Sequence, residues 1–251
     1  MKKLLLKNLI QTGVAIAFLL AVWWIAYLSV GNDLLIPPVS DSLKEVAELF
    51  GKGAFWRALG GTVGRAVIAF LLSFLLAVIF AVIAYLYPSF GRFFAPLVSV
   101  LRSMPVLAVL LILLAFLNAG NAPIAVAFLS LFPMIYTGVL AALSGVDKHL
   151  IEVSRVYGTP VWRRVTAVYL PLSSPYILKE AGAALSFSLK LIVSAEVLSF
   201  TAKSLGGMMQ DAKLYAEIPQ LFALVAVTFV VGLVLETAVG LLASVAEKKI
   251  Q

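Results

Sequence analysis

The amino-acid sequence predicts an all-α, polytopic membrane protein with about six transmembrane helices. Of its 251 residues, 63% are hydrophobic and 12% are charged, whereas about a quarter of the residues in a typical soluble domain are charged. The hydrophobic residues form continuous blocks of about twenty, which is enough for a helix to cross a hydrocarbon core about 30 Å thick. These blocks lack the alternation of polar and apolar residues that a membrane β-barrel requires.

The apolar blocks define six predicted spans within a single domain over residues 1–251. The spans run over 8–29, 62–85, 93–117, 123–143, 175–198 and 219–243. The first span follows a basic N-terminus, but it is longer than the apolar part of a signal peptide and lacks a small-residue cleavage site. We therefore expect it to be retained as an anchor.

Basic residues predict the orientation of the spans. An excess of lysine and arginine marks the cytoplasmic side of a membrane protein. With six spans, the basic residues that share one side are Lys2, Lys3, Lys7, Arg92, Lys148, Arg155, Arg163, Arg164, Lys179, Lys248 and Lys249. We therefore expect both termini in the cytoplasm, and the segments 31–57 and 199–218 outside.

Several classes of function have little support in this sequence. The net charge of +7 comes mostly from basic residues at the ends of apolar blocks, so we expect no nucleic-acid partner. There is no cysteine, and His149 is the only histidine, so we expect no metal site. The phosphate loop of nucleotide-binding proteins is absent, as are the motifs of serine hydrolases and zinc proteases. The chain is therefore not expected to be an enzyme.

A short amphipathic helix is predicted on the outer surface, within residues 37–51 (PPVSDSLKEVAELFG). Ser42 and Glu45 have the spacing of a capping box at its start. Leu43 and Phe50 share an apolar face with the residues between them at helical spacing.

A charged segment at residues 147–170 separates the fourth and fifth spans. Its pattern predicts a helix over 147–157, and Gly158 supplies the left-handed residue that ends a helix. Thr159 is suited to cap the next helix, with Pro160 in its first turn. The segment is too charged to lie in hydrocarbon. We expect two short helices at a fixed bend in the cytoplasm, and the alternative is an ordinary basic interfacial loop.

This segment resembles the EAA signature of the permease subunits of type I ABC importers. In that signature a Glu-Ala-Ala triplet is followed by a glycine and later by Leu-Pro. The matching positions are Glu152, Gly158, Leu170 and Pro171. Val153 and Ser154 replace the two alanines, which keeps the side chains small or of modest size.

The resemblance extends from about Leu34 to the C-terminus and is closest to the nitrate/sulfonate/taurine branch. The stretches that carry it are LIPPVSDSL at 35–43, LRSMPVLAVL at 101–110, LIVSAEVL at 191–198 and the glycine pair at 206–207. One departure is FLNAGNAP at 116–123, which lacks the Phe-Gly-x-Gly usual in that branch after the third span.

The resemblance implies a function and a set of partners. The chain would be a permease subunit in a bacterial inner membrane, paired with a second copy or a homologue, most simply as a homodimer. Two cytoplasmic ATPase subunits would hydrolyse ATP, so the chain itself would bind no cofactor. A solute-binding protein would deliver the substrate to the outer face, and membrane lipid would surround the spans. The substrate would be a small organic or inorganic anion, similar to a sulfonate, nitrate or taurine.

The resemblance also assigns roles within residues 147–170, the coupling segment that docks into the ATPase. Glu152 would anchor the segment, Gly158 would form its bend, and Arg163 with Arg164 would contact either the ATPase or lipid phosphate. The complete set of predicted coupling residues is Glu152, Ser154, Gly158, Arg163, Arg164, Leu170 and Pro171.

Ionisable residues inside the spans predict the translocation path. Each such residue costs at least about 2.5 kcal/mol near the bilayer centre unless it is paired or hydrated. The candidate path residues are Arg102, Pro105, Lys190, Glu196 and Glu236. Lys190 and Glu196 are about 240° apart on a helix and do not pair with each other. For Lys190 and Glu236 the alternative is an interhelical ion pair, or a hydrogen bond to a carbonyl, that fixes packing.

Arg57 and Arg65 lie near the outer end of the second span and are predicted to be interface anchors.

An alternative function is an ion-coupled secondary transporter or channel, with Lys190, Glu196 and Glu236 as ion relays. Another alternative is a scaffold that transports nothing.

Overall fold

The computed structural model describes the backbone of residues 2–250 and the side chains of residues 14, 17–147, 149–154 and 156–241. The described chain folds into helices, without strands, which confirms the predicted all-α class. The helices are α1 (Lys2–Val30), α2 (Val39–Gly51), α3 (Gly53–Leu86), α4 (Pro88–Ser103), α5 (Val106–Leu114), α6 (Ala122–Ser144), α7 (Lys148–Val156), α8 (Val161–Arg164), α9 (Leu170–Ser199), α10 (Leu205–Leu214) and α11 (Ile218–Ile250). A π-helical turn, Val165–Tyr169, joins α8 to α9.

Four helical stretches of the described chain are long and apolar enough to cross a membrane, and the number is five if a bent pair of helices forms one span. The four are Gly53–Leu86, Ala122–Ser144, Val161–Ser199 and Ile218–Leu241. The first predicted span, 8–29, includes residues whose side chains the structure does not describe. The same holds for some of the basic residues on which the predicted topology depends: Lys2, Lys3, Lys7, Lys148, Arg155, Lys248 and Lys249.

The predicted third span, 93–117, is not one straight helix. It is divided into α4 and α5, whose axes are bent by 88°. Met104 and Pro105 are extended between them. Pro105 has no N–H to donate to the preceding turn, and its ring disfavours the helical conformation for Met104. The proline therefore places Arg102 at the free end of α4.

Two helical regions lie outside the predicted spans. Helix α3, which contains the predicted span 62–85, begins at Gly53, because glycines and Arg57 lower the hydropathy without preventing helix formation. The segment 199–218, which was predicted to lie between two spans, contains α10, and the Ser204 side chain accepts a hydrogen bond from the Gly207 N–H at 2.8 Å. This is an N-cap interaction that starts the helix.

Helix α2 forms as predicted, but its start differs from the prediction. Pro38 precedes the first turn, so Ser42 lies inside the helix instead of capping it. The buried side chains are Ser42 and Leu49, while Leu43 and Phe50 are exposed. The capping-box prediction fails because Pro38 already starts the helix one turn earlier.

Helix α9 lies at the centre of the bundle and contacts α3, α6, α10 and α11. Small side chains on α3 permit close approach, as is common between membrane helices. The fully buried alanines of α3 are Ala66, Ala69, Ala77 and Ala81. The Ser188 hydroxyl of α9 donates to the Ala66 carbonyl at 2.8 Å. These contacts fix the rotation of α9 and so decide which of its residues face outward.

An aromatic cluster holds α4 against the bundle. Phe94 of α4 lies with its ring centroid 5.0 Å from Phe80 of α3 and 5.5 Å from Tyr136 of α6. Phe94 and Tyr136 are buried. This packing positions the far end of α4, which carries Arg102.

Candidate functional site

The first half of the coupling segment has the predicted conformation. Helix α7 ends two residues before Gly158, whose φ of +64° is left-handed. The Thr159 N–H donates to the Ser154 carbonyl at 3.1 Å. This pairing, together with the left-handed residue, forms a Schellman-type helix end. The predicted left-handed conformation of Gly158 is therefore confirmed.

The second half differs from the predicted short helix. Pro160, not Thr159, occupies the cap position of α8, and no side chain caps that helix. The helix does not end after one turn, because the π-helical turn carries it into α9 as one stretch, Val161–Ser199. The wide turn immediately precedes Leu170 and Pro171, and a proline there cannot donate a backbone hydrogen bond to the preceding turn. The coupling segment is thus continuous with a membrane-spanning helix.

The tip of the coupling segment exposes large side chains. Val156 and Tyr157 are 86% and 83% exposed, and Trp162 is 65% exposed. Arg163 lies over the Trp162 ring, 5.5 Å from its centroid, and Glu152 is also exposed. A surface with this much exposed apolar area is typical of an interaction site.

Ser154, Arg164, Leu170 and Pro171 are half-buried behind this tip. The Ser154 hydroxyl donates to the Ile151 carbonyl at 2.7 Å. Glu152 and Arg164 line a cavity of about 410 Å³ between the segment and the C-terminal end of α3. Part of the coupling set therefore supports the segment from behind and is not exposed.

Glu196 forms a buried cluster that joins α3, α9 and α10. Its side chain is 0% exposed, and its Oε1 lies 2.7 Å from the Arg65 Nε. Its Oε2 accepts hydrogen bonds from the Thr62 hydroxyl at 2.8 Å and the Gly206 N–H at 3.2 Å. The Thr62 Oγ1 in turn accepts the Leu205 N–H at 2.8 Å. We call Glu196, Arg65, Thr62 and Gly206 the Glu196 cluster.

Glycines make the close approach around the Glu196 cluster possible. A Cβ atom at Gly206 would lie 2.7 Å from both the Val193 carbonyl oxygen and the Val197 nitrogen. A Cβ atom at Gly61 would lie 2.5 Å from the Lys203 carbonyl oxygen. Backbone atoms cannot move away as a flexible side chain can, so both positions require glycine.

The Glu196 cluster corrects two predictions. Glu196 does not line an open path, because its carboxylate is buried and occupied by three partners. Arg65 is not an interface anchor, because its side chain is only 16% exposed and pairs with Glu196. The cause is helix rotation, which turns Lys190 outward and Glu196 inward on α9. Glu196 instead forms an interhelical ion pair with Arg65 that fixes packing.

The outward face of α9 forms one exposed stripe. Its members are Tyr176, Lys179, Ala183, Phe187, Lys190 and Ser194. We call them the α9 stripe. Cavities lie on both sides of it, between α9 and α11 and between α9, α6 and the α4–α5 bend.

Lys190 and Glu236 share the cavity between α9 and α11, which has a volume of about 280 Å³. Both are exposed, and among the described residues no ion pair joins them within 4.0 Å. Val193 and Phe229 contribute to its apolar walls. The structure therefore brings two predicted path residues to one groove.

Arg102 lies in a different cavity, of about 490 Å³, between the α4–α5 bend, α6 and α9. Glu180 lines the same cavity and, with Gly138, also lines an adjoining cavity of about 600 Å³ that contains Lys179. Pro105 sits at the bend, beside Met104, which lines the first cavity. Arg102 and Pro105 are thus close to one groove, and Lys190 and Glu236 to another.

Sequence reasoning did not single out Glu180, and it counted Lys179 as a cytoplasmic charge. Both residues lie about midway along the helical stretch Val161–Ser199. The sequence feature that could have indicated their place in a long helix is Pro160, after which the helix starts. The pairing of Arg65 with Glu196 had no local indication, since the two residues are 131 positions apart.

The chain is similar to permeases of known transport systems. The family model for the binding-protein-dependent transport system inner membrane component matches residues 73–251. The taurine transport system permease protein of Escherichia coli (strain K12) is 25% identical over 228 residues, which cover 88% of this chain and 82% of that protein. The nitrate import permease protein of Leptolyngbya laminosa is 24% identical over 249 residues, which cover 95% and 88%.

The fold is also that of a solved importer. A bacterial ABC transporter involved in the import of the acidic polysaccharide alginate has a chain that superposes with a TM-score of 0.69 at 18% identity. The match covers 96% of this chain and 98% of that chain. At this level of identity the likeness concerns the fold alone.

Proposed function

The chain belongs to the family of binding-protein-dependent transport system inner membrane components, and we propose from this premise how its structure works as the permease subunit of an ATP-driven importer. The resemblance carried by the coupling segment is confirmed by this family match. An ion-coupled transporter or channel is not favoured, because the relatives are permeases of importers of the ABC type. Hydrolysis of ATP belongs to a separate subunit.

The observation that carries the mechanism is the single helical stretch Val161–Ser199. One end of it carries Trp162 and Arg163 at the exposed tip, and the other part carries the α9 stripe. A displacement of the tip by an ATPase therefore moves the stripe directly, since packed helices transmit rigid-body motion. The π-helical turn between the two parts is a natural site for a change in angle.

The cytoplasmic partner is a pair of ATPase subunits that cover Val156, Tyr157 and Trp162. Burial of these exposed side chains supplies the apolar part of the interface. Glu152 and Arg163 supply charged contacts at its rim, and Arg164 braces the segment from the cavity behind. ATP is bound by the partner, and the chain itself holds no cofactor.

A second copy of the chain covers the α9 stripe. Charged side chains at this depth are costly against lipid and are normally found facing a bundle interior or water. Two stripes facing each other across a water-filled gap would remove Lys179 and Lys190 from lipid. The gap is the translocation path, with Arg102 and Pro105 at its α4–α5 side and Glu236 at its α11 side.

The outer surface receives a solute-binding protein on α2 and α10, and lipid surrounds the remaining apolar faces. This orientation puts both termini in the cytoplasm, in agreement with the distribution of basic residues. The solute carries a negative charge, because Arg102, Lys179 and Lys190 face the grooves. Taurine and nitrate, which the similar permeases carry according to their names, both fit this requirement.

Thiol labelling tests the path directly, because the chain has no cysteine of its own. Single replacements Arg102→Cys and Lys190→Cys are expected to react at least about tenfold faster with a charged, water-soluble thiol reagent than Glu196→Cys, since ordered burial excludes the reagent. Leu72→Cys is a matched control on the exposed, apolar side of α3. The rates are measured in membranes with and without a non-hydrolysable ATP analogue.

We expect the analogue to change the rates at the two groove positions and to leave the rate at Leu72→Cys unchanged. Equal protection of the groove and control positions would contradict the path. An unchanged rate on addition of the analogue, with the ATPase present, would contradict coupling through α9.

A further inference from the structure

We propose that the cavity between the coupling segment and the C-terminal end of α3 binds the phosphate group of an inner-leaflet phospholipid through Arg164. The inference rests on the proposed function, because that function places this end of α3 at the cytoplasmic side of the membrane. It goes beyond the proposed function by giving the coupling segment a lipid ligand in addition to the ATPase.

Arg164 carries a hydrogen-bond donor that the described part of the chain does not use. Its Nε atom is buried and has no hydrogen-bond partner among the described residues. Glu152 lines the same cavity, but no ion pair joins the two side chains within 4.0 Å. Exposed arginines such as Arg57 and Arg92 are hydrated, whereas a buried charged donor without a partner lowers stability. We therefore expect an acceptor from another molecule at Arg164.

The walls of the cavity suit a phosphate that is attached to an apolar body. The cavity has a volume of about 410 Å³, and Leu86 and Val161 contribute apolar surface to it. Tyr87 and Tyr169 add phenol groups, which are hydrogen-bond donors. The Glu152 side chain is exposed, so it stays hydrated and can turn away from an anion. A free phosphate ion would leave the apolar walls without a contact.

The cavity lies at the depth of the lipid headgroups. Helix α3 has 34 residues, which corresponds to a length of about 50 Å at 1.5 Å per residue. A bilayer with its headgroups is about 40–45 Å thick, so the end of α3 reaches the headgroup layer. Tyr85, Tyr87 and Tyr169 meet at this end, and tyrosine is enriched at membrane–water interfaces. Phospholipid phosphates are present at this level.

The position of the cavity favours a lipid over a side chain of the ATPase. The surface proposed for the ATPase consists of Val156, Tyr157 and Trp162, and none of these three side chains lines the cavity. A guanidinium group binds a phosphate through parallel donors. Arg164 directly precedes the π-helical turn Val165–Tyr169. A phosphate bound to it therefore holds the coupling segment where the segment joins α9.

A thiol in the cavity tests the site in membranes of defined composition. The reporter is Val161→Cys, which replaces a lining residue in a chain without cysteine. The full chain, with and without its ATPase and without nucleotide, is placed in nanodiscs of phosphatidylcholine or of diglucosyl diacylglycerol with the same acyl chains. Neither lipid has a net charge, and only phosphatidylcholine has a phosphate. The rate of modification by uncharged N-ethylmaleimide is measured from the intact mass of this chain.

We expect the rate in phosphatidylcholine to be at least about fivefold lower than in the glycolipid, because a charge-assisted contact holds the headgroup over the thiol. Arg164→Gln in the reporter background should remove this difference. Arg164→Lys should restore part of it, since lysine keeps the charge but not the parallel donors. Arg92→Gln removes an exposed arginine of α4 and is the matched control, which should keep the full difference. Inorganic phosphate added to the glycolipid discs should not change the rate.

Four results would overturn the lipid inference. Two are equal rates in both lipids and an undiminished difference in Arg164→Gln. The third is protection by inorganic phosphate in the glycolipid, which would assign the cavity to a soluble anion. The fourth is protection that requires the ATPase and not the phospholipid, which would assign the cavity to a side chain of the ATPase.

Co-purification of the ATPase with the reporter chain tests the proposed function separately. If the ATPase is present and the two lipids give equal rates, the lipid inference fails while the permease function stands. If no ATPase co-purifies, the proposed function fails. The discs that hold the chain alone still decide whether a phospholipid occupies the cavity.

Discussion

Replacing Arg65 with methionine is expected to lower the free energy of unfolding by about 3–5 kcal/mol, because it leaves the buried Glu196 carboxylate without its cation. Arg65 Nε lies 2.7 Å from Glu196 Oε1, and the carboxylate has no exposure to water. Thr62 and Gly206 can still donate to the other oxygen, but they do not neutralise the charge. Denaturant unfolding of the detergent-solubilised chain measures the loss.

A matched control and a double variant make this prediction specific. Arg57→Met removes an exposed arginine from the same helix and should change stability by no more than about 0.5 kcal/mol. Arg65→Met combined with Glu196→Leu should recover most of the loss, since replacing both members of a buried pair is often nearly neutral. A loss at Arg65→Met no larger than at Arg57→Met would show that the pair contributes nothing to stability.

Replacing Gly158 with valine is expected to uncouple transport from ATP hydrolysis. A residue with a Cβ in the left-handed conformation costs about 1–2 kcal/mol, and a β-branched side chain is worse. The φ of +64° at Gly158 sets the angle between α7 and α8, so valine should shift the exposed tip and leave the spans assembled. The number of solute molecules taken up per ATP hydrolysed should fall at least about tenfold.

Gly158→Asn is the matched control for this prediction, because asparagine adopts the left-handed conformation more readily than other residues with a Cβ. It should retain most of the coupling. Purified complexes in proteoliposomes give both rates from one preparation. Undiminished coupling in the valine variant would rule out a fixed bend at this position as the transmitting element.

The sequence was sufficient to predict elements whose limits are set by local chemistry. The predicted span 123–143 agrees with α6 (Ala122–Ser144) to within one residue at each end, because a proline and a glycine bound its apolar block. The bend at Gly158 was predictable because only a left-handed residue allows that helix end. The coupling role of residues 147–170 came instead from the resemblance to the EAA signature, and it stays a prediction.

Features that depend on contacts between distant helices were not predictable from one sequence. Hydropathy reports whether a helix enters the membrane, but it does not report the rotation of that helix within a bundle. The same charge pattern therefore predicted Glu196 and Lys190 as path residues, although packing buries only Glu196. The Glu180 side chain packs against Gly138 of another helix, and no local pattern indicates this contact.

The most direct test of the central claim is a pull-down of the tagged chain from its native membranes in mild detergent, with identification of the bound proteins by mass spectrometry. Wild type is compared with Glu152→Arg in the coupling segment and with Glu48→Arg on the outer helix as the control. We predict that an ATPase accompanies wild type and Glu48→Arg and is lost from Glu152→Arg. Absence of an ATPase from wild type, or its full retention by Glu152→Arg, would contradict the assignment of residues 147–170 as the segment that couples this permease to ATP hydrolysis.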